Sequence, residues 1–372
     1  MSCDYRALAN AGVQKISPYE PGKPIETLER ELGISNSIKL ASNENPLGPS
    51  PQALKAITGM LPELALYPDG GGFALREAIA AKLRVSADIV TLGNGSNDVL
   101  ELIARAYLAP GCSAVFSEHA FAVYPLAVMA TGATPRIAKA NPADHAMPYG
   151  HDLKALREAI DAHTRLVFIA NPNNPTGTWL TRQALTAFLD SVPEDVLVVL
   201  DEAYSEYVGH DDYPDAIAWL QQYPNLIVTR TFSKIYGLAG LRIGFALSHP
   251  QVADMLNRVR QPFNTNMLAQ AAAIASLGDA DHILRSVALN DEGLAFLTQA
   301  CTERGLRCIP SVGNFLCIEV GDGAKVYQEL LREGVIVRPI ASYGLPQYLR
   351  VSIGTAEDNQ RFIKALDKVQ SR

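Results

Sequence analysis

Four short motifs set chemically capable side chains among small residues. In TFSKIYGLAGLRIGF (231–245), Lys234 stands just past a short apolar run, between Ser233 and Ile235, with Tyr236-Gly237 next and Arg242 eight positions on. A lysine placed there can lose hydration, and a poorly hydrated amine with a lowered pKa is a nucleophile toward aldehydes, so imine formation is the chemistry it offers; a solvated surface charge is the alternative. Asp201 closes the run VLVVLD, so its carboxylate starts at the edge of the core, a costly position unless it meets a cation or several donors. A protonated heteroaromatic nitrogen would satisfy it and turn that ring into an electron sink; a helix N-cap or an internal salt bridge would satisfy it too. Tyr204, three residues on, either donates to a ring hydroxyl in the same crevice or is a core tyrosine with its hydroxyl bonded internally. Asn174 in NPNNPTG can donate its amide to an oxygen or serve the turn alone.

The fourth motif, GNGSND (93–98), runs a glycine turn into a helical pattern, with Ser96 or Asn97 as cap. Such a turn exposes backbone N–H groups at the positive end of a helix and seats a phosphate, or simply caps a helix with no ligand. Asp98 stands where a third glycine would complete a dinucleotide fingerprint, so that fingerprint is not met. Arg242 offers a fork of donors for a phosphate, with a surface ion pair as its other use.

The elements that must position these groups alternate. Apolar runs at 114–116, 165–170, 196–200 and 226–229 read as strands, separated by helical patterns, which predicts a largely parallel sheet with helices on both faces. Three of the runs feed straight into NPNNPTG, DEAYSEY and the lysine motif. Ligands of such sheets sit in the crevice beyond the carboxyl ends of the strands, so the motifs converge on one site. Residues 1–49 carry little regular pattern and must lie on the body of the chain or on a partner. Helical patterns are expected at 50–61, Phe73–Leu83, 252–260, Met267–Leu277 and 282–304, strands at 314–320, 335–339 and 348–352, and a closing helix at 356–369. The expected division is an arm 1–49, a large domain 50–280, and a small α+β domain 281–372 joined by part of the arm.

The chain has 372 residues, 48% hydrophobic, with a net charge of −7, which suits a large core and argues against nucleic acid as main partner. Five cysteines without CxxC spacing read as reduced thiols, and seven scattered histidines form no metal signature. No apolar run reaches membrane-spanning length and residues 1–20 lack a signal-peptide core, so a cytoplasmic protein is expected.

An imine-forming lysine, a pyridinium-matching aspartate, hydroxyl partners and a phosphate seat together describe pyridoxal 5′-phosphate. DEAY, NPNNPTG and SKxxGLxGLRIG, in this order and spacing, resemble the fold-type I pyridoxal-phosphate aminotransferases. With NENPLGP, YPDG, GNGSND, PFNTN, VRPI and LRVSIGT, the set is similar to the histidinol-phosphate aminotransferases over about residues 19–355. The resemblance implies Lys234 as imine lysine and proton shuttle, Asp201 on the pyridine nitrogen, and Tyr204 and Asn174 on the ring hydroxyl. It implies Ser96, Asn97, Thr231, Ser233 and Arg242 around the phosphate, and Phe121 stacked on the ring where many members carry Tyr. It places Tyr67 on the neighbouring subunit's cofactor phosphate, hence a homodimer with shared active sites, and Tyr19, Asn43, Arg338 and Arg350 at the substrate. The implied reaction moves the amino group of L-histidinol phosphate to 2-oxoglutarate. The alternative within the fold is a phenylalanine or tyrosine aminotransferase; a decarboxylase or β-lyase and a non-enzymatic regulator of the same fold are more distant rivals.

Overall fold

The computed structural model describes residues 3–371; residues 1, 2 and 372, the outer ends of the expected arm and small domain, lie outside the described residues. Thirteen strands are described: β1 (Ile38–Lys39), β2 (Val90–Gly93), β3 (Ser113–Ser117), β4 (Thr134–Ala138), β5 (Thr164–Ala170), β6 (Leu197–Asp201), β7 (Leu226–Thr231), β8 (Gly244–Leu247), β9 (Cys308–Ile309), β10 (Phe315–Glu319), β11 (Val335–Ile336), β12 (Arg338–Pro339) and β13 (Tyr348–Ser352). Seven form one sheet in the order β2-β8-β7-β6-β5-β3-β4. Its pairings are parallel except where β8 runs antiparallel to both β2 and β7.

Period-two alternation sends successive side chains of each strand to opposite faces. On one face Phe168, Val199 and Ile227 pack with the helices Ser96–Tyr107 and Val123–Ala130. On the other, Val167, Ile169, Val198, Leu200 and Val228 pack with the helix Arg182–Ser191. Strands buried on both faces read as unbroken apolar runs, which is why VLVVL and RLVFIA show no polar alternation. Each of these fully buried side chains contributes about 1.5–3 kcal/mol, so Phe168→Ala would cost about 3–5 kcal/mol. The parity also aims the chemistry: Asp201 continues the Val199 side of β6 and Thr229 the Ile227 side of β7, and the two residues are direct partners across the strands.

A second core forms where the helices Ala280–Glu303 and Ala356–Gln370 cover the four-stranded antiparallel sheet β12-β13-β10-β9. Leu297, Leu316, Ile318, Val351, Phe362 and Leu366 fill it, with Leu40 from the N-terminal segment. Two expectations change here. The strand expected at 335–339 breaks at Val337, so that β11 pairs with β1 and β12 joins β13 in another sheet. The N-terminal segment is more regular than its prolines suggested, holding the helix Ile25–Leu32 as well as β1.

Candidate active site

Five strand ends of the large sheet feed one crevice of about 200 Å³. The turn after β2 brings Ser96 and Asn97, that after β3 brings Phe121, β5 leads to Asn174, β6 ends on Asp201 with Tyr204 beyond, and β7 leads to Thr231, Ser233 and Lys234. Arg242 enters just before β8, Arg338 and Arg350 come from β12 and β13, and Tyr19 and Asn43 come from the N-terminal segment. Every sequence-selected residue but one therefore lines this crevice. Tyr67 does not: it is 82% exposed and stacks on Phe263 with centroids 4.7 Å apart.

Lys234 is half-buried, and its Nζ donates to the Ser42 carbonyl at 3.0 Å. Burial, with Arg350 close by, brings its pKa down to about 7. The amine is thus poised between its two protonation states near neutral pH, which a nucleophile and proton carrier requires. Asp201 is 5% exposed. Burial raises its pKa, opposed by hydrogen bonds from Tyr124 and Thr229, by the Ala203 N–H and by the charge of Lys234. It is neither a helix cap nor half of an ion pair with a nearby arginine. The Tyr204 hydroxyl, also pushed up by burial, accepts from Asn43 Nδ2 at 3.0 Å, and Asn43 Oδ1 accepts from Ser352 Oγ at 2.9 Å.

The helix Ser96–Tyr107 corrects one detail. Its N-cap is Gly95, with no side-chain cap bond, so Ser96 and Asn97 begin the helix and cap nothing. Their backbone N–H groups stay available to a ligand at the positive helix end. Arg242 crosses in front, with φ of 57°, and its Nη1 donates to Ser233 Oγ at 3.3 Å. A non-glycine residue in the left-handed region is strained, as residues that hold ligands often are. Gly95 is required here, since a Cβ on it would lie 2.2 Å from Arg242 Nη2 and its φ is +86°. Backbone donors, the Thr231 and Ser233 hydroxyls and a guanidinium make a seat suited to a phosphate.

The far end of the crevice carries a second positive site. Arg338 and Arg350 are direct partners across β12 and β13, a juxtaposition that destabilises a sheet unless an anion relieves it. Arg350 is 6% exposed. Its Nη1 donates to Asn174 Oδ1 at 2.5 Å and its Nη2 to the Ala41 carbonyl at 2.7 Å, while Nε has no partner. Arg338 lies over the Tyr19 ring, 5.4 Å from its centroid. None of Arg242, Arg338 and Arg350 has an ion-pair partner among the described residues. Sequence reasoning missed Ser42, Thr229, Tyr124 and Tyr343. Thr229 was within reach, because it sits beside Asp201 once the two runs are paired as parallel strands.

Residues 35–366 match the family model described as aminotransferase class I and II. The chain is 58% identical to histidinol-phosphate aminotransferase 2 of Pseudomonas fluorescens (strain Pf0-1), with all of both chains covered. It is 59% identical to histidinol-phosphate aminotransferase 2 of Pseudomonas aeruginosa, covering 98% of each. Among solved structures, histidinol-phosphate aminotransferase from Sinorhizobium meliloti in complex with pyridoxal-5′-phosphate superposes with a TM-score of 0.87 at 29% identity, covering 96% of each chain. Among the described residues no helix is long and apolar enough to cross a membrane.

Proposed function

Starting from a chain that belongs to the class I and II aminotransferases, we propose that it uses pyridoxal 5′-phosphate to move the amino group of L-histidinol phosphate to 2-oxoglutarate. The products are imidazole acetol phosphate and glutamate. When bound, the cofactor supplies an aldehyde carbon for the amino group and a ring that delocalises the electron pair left at the substrate's Cα.

The residues fit that group. Ser96 and Asn97 N–H, Thr231, Ser233 and Arg242 would hold its phosphate, with Gly95 leaving room for the Arg242 guanidinium beside it. Asp201 would hold the ring nitrogen, Tyr204 and Asn174 the ring hydroxyl, and Phe121 would cover a ring face. Lys234 Nζ, with its pKa near 7, would take the proton from the substrate's Cα and deliver it to the cofactor's aldehyde carbon, so that the amino group stays with the cofactor; a general acid–base group of this kind is worth about 10²–10⁴-fold. Arg350 would bind the α-carboxylate of glutamate, and Arg338, Arg350, Tyr19 and Asn43 would orient histidinol phosphate.

The observation that carries the substrate is the facing pair Arg338–Arg350, with no carboxylate paired to either among the described residues. A phosphate brings about two negative charges at neutral pH and neutralises two guanidinium groups, whereas an aromatic amino acid brings one carboxylate and leaves one of them uncompensated. The relatives' names point the same way. The exposed Tyr67, with Leu64 and Leu66 at 57% and 63% exposure and Phe73 at 69%, belongs to an apolar face that a second copy of this chain would cover. Tyr67 would then reach the partner's cofactor phosphate, giving a homodimer with shared sites. We also propose the division 1–49, 50–280 and 281–372 and a cytoplasmic location. The test is glutamate release by the cofactor-loaded protein given L-histidinol phosphate and 2-oxoglutarate. Steady release that stops when either substrate is omitted is expected; no release overturns the proposal.

A further inference from the structure

Asp201 is held by more than its place at a strand end. Tyr124 Oη donates to Asp201 Oδ2 at 2.9 Å and Thr229 Oγ1 donates to Oδ1 at 3.0 Å. A carboxylate has about four lone-pair sites, so one donor on each oxygen leaves room for a ligand. Tyr124 is fully buried in the helix Val123–Ala130. Its ring stacks on Phe168, with centroids 4.9 Å apart and planes 15° apart, and meets Phe121 edge-on at 5.8 Å and 88°. One side chain therefore touches both the carboxylate and the aromatic ring that line the crevice.

Resting on the cofactor reading above, we propose that Tyr124 is a positioning residue: its hydroxyl orients the Asp201 carboxylate toward the cofactor's ring nitrogen, while its ring supports Phe121. The physical consequence concerns where one proton sits. A donor on Oδ2 makes Asp201 less basic, so the proton shared with the ring nitrogen stays on nitrogen, where the ring draws electrons best. Of the groups opposing the effect of burial on Asp201, the Tyr124 bond is the largest, ahead of Thr229, the Ala203 N–H and Lys234. Tyr204 and Tyr213 are the other titratable groups coupled to this carboxylate, and neither donates to it in the structure. A tyrosine serving only the core would contribute its ring and leave this proton where it is.

The experiment uses the holoenzyme loaded with pyridoxal 5′-phosphate carrying ¹⁵N in the ring, and reads the ¹⁵N resonance of the parent, Tyr124→Phe, Thr229→Val and Thr229→Ser. Tyr124→Phe keeps the stacking on Phe168 and removes the donor. Its nitrogen should move toward the unprotonated position, with the ratio of nitrogen-bound to carboxyl-bound proton falling about tenfold, about one unit of relative basicity. Thr229→Val should move it the same way, Thr229→Ser should restore the parent signal, and kcat should fall in both donor-free variants while KM changes little. A Tyr124→Phe resonance equal to the parent's overturns the proposal, whatever its activity. A parent that takes up no labelled cofactor overturns the cofactor reading itself, and this proposal with it.

Discussion

Replacing Arg338 by alanine separates the two anions that the far end of the crevice is built to hold. Arg350 is buried and anchored by Asn174 and the Ala41 carbonyl, so it stays in place when its neighbour is removed. Arg338 is half-buried and braced on the Tyr19 ring. A charge-assisted hydrogen bond contributes about 1.5–3 kcal/mol, and partial exposure argues for the lower half of that range, about 2 kcal/mol. At about 1.4 kcal/mol per factor of ten, the loss is about 30-fold in kcat/KM for L-histidinol phosphate. Glutamate, whose α-carboxylate is assigned to Arg350, should lose less than about threefold. The two half-reactions are followed separately through the visible absorbance of the cofactor, with one amino donor at a time. Equal losses for the two donors, or no loss for histidinol phosphate, would refute the assignment of the facing arginines to a phosphate.

Two other perturbations probe the near end. In the cofactor-free protein, Lys234 has its pKa lowered to about 7, so between about pH 7 and the ordinary lysine value near 10.4 the unfolded chain binds more protons than the folded one. The charged amine therefore destabilises the folded state fully below about pH 7, and this cost is relieved as pH rises across that window. Lys234→Met should be more stable than the parent at pH 6.5, with the gap closing by pH 10; melting curves that stay parallel at all pH values would contradict the buried-amine account, and the same variant should retain no cofactor after borohydride treatment. Gly95→Ala puts a Cβ 2.2 Å from Arg242 Nη2 at a φ of +86°. About 1–2 kcal/mol of backbone strain, concentrated at the phosphate seat, should weaken cofactor binding about tenfold or more in equilibrium dialysis, and unchanged affinity would remove this turn from the site.

The site was legible to the extent that its residues are local to strand ends. Asp201, Lys234 and Asn174 each follow an apolar run directly, so once the runs are parallel neighbours their polar tails must share one edge. What escaped depends on contacts between distant parts of the chain. Tyr124 reaches Asp201 across 77 positions and the Ser42 carbonyl meets Lys234 across 192, and no local pattern encodes either. The antiparallel β8 was hidden because a four-residue run shows composition and not direction. The break at Val337 was hidden for a related reason: 335–339 is uniformly strand-like, and only the competing partners β1 and β13 split it. Residue type points to Ser96 or Asn97 as the cap, whereas Gly95, able to take the positive φ that the turn into the helix requires, occupies that place.

The most direct measurement is kcat/KM of the cofactor-loaded protein for L-histidinol phosphate against L-phenylalanine and L-tyrosine, with 2-oxoglutarate as acceptor. The account predicts a preference of about a hundredfold for histidinol phosphate, about 2.7 kcal/mol of transition-state discrimination, arising from Arg338 and Arg350 together. Equal or faster turnover of phenylalanine would contradict it and leave Arg350 reading a carboxylate beside an arginine with no role in substrate choice.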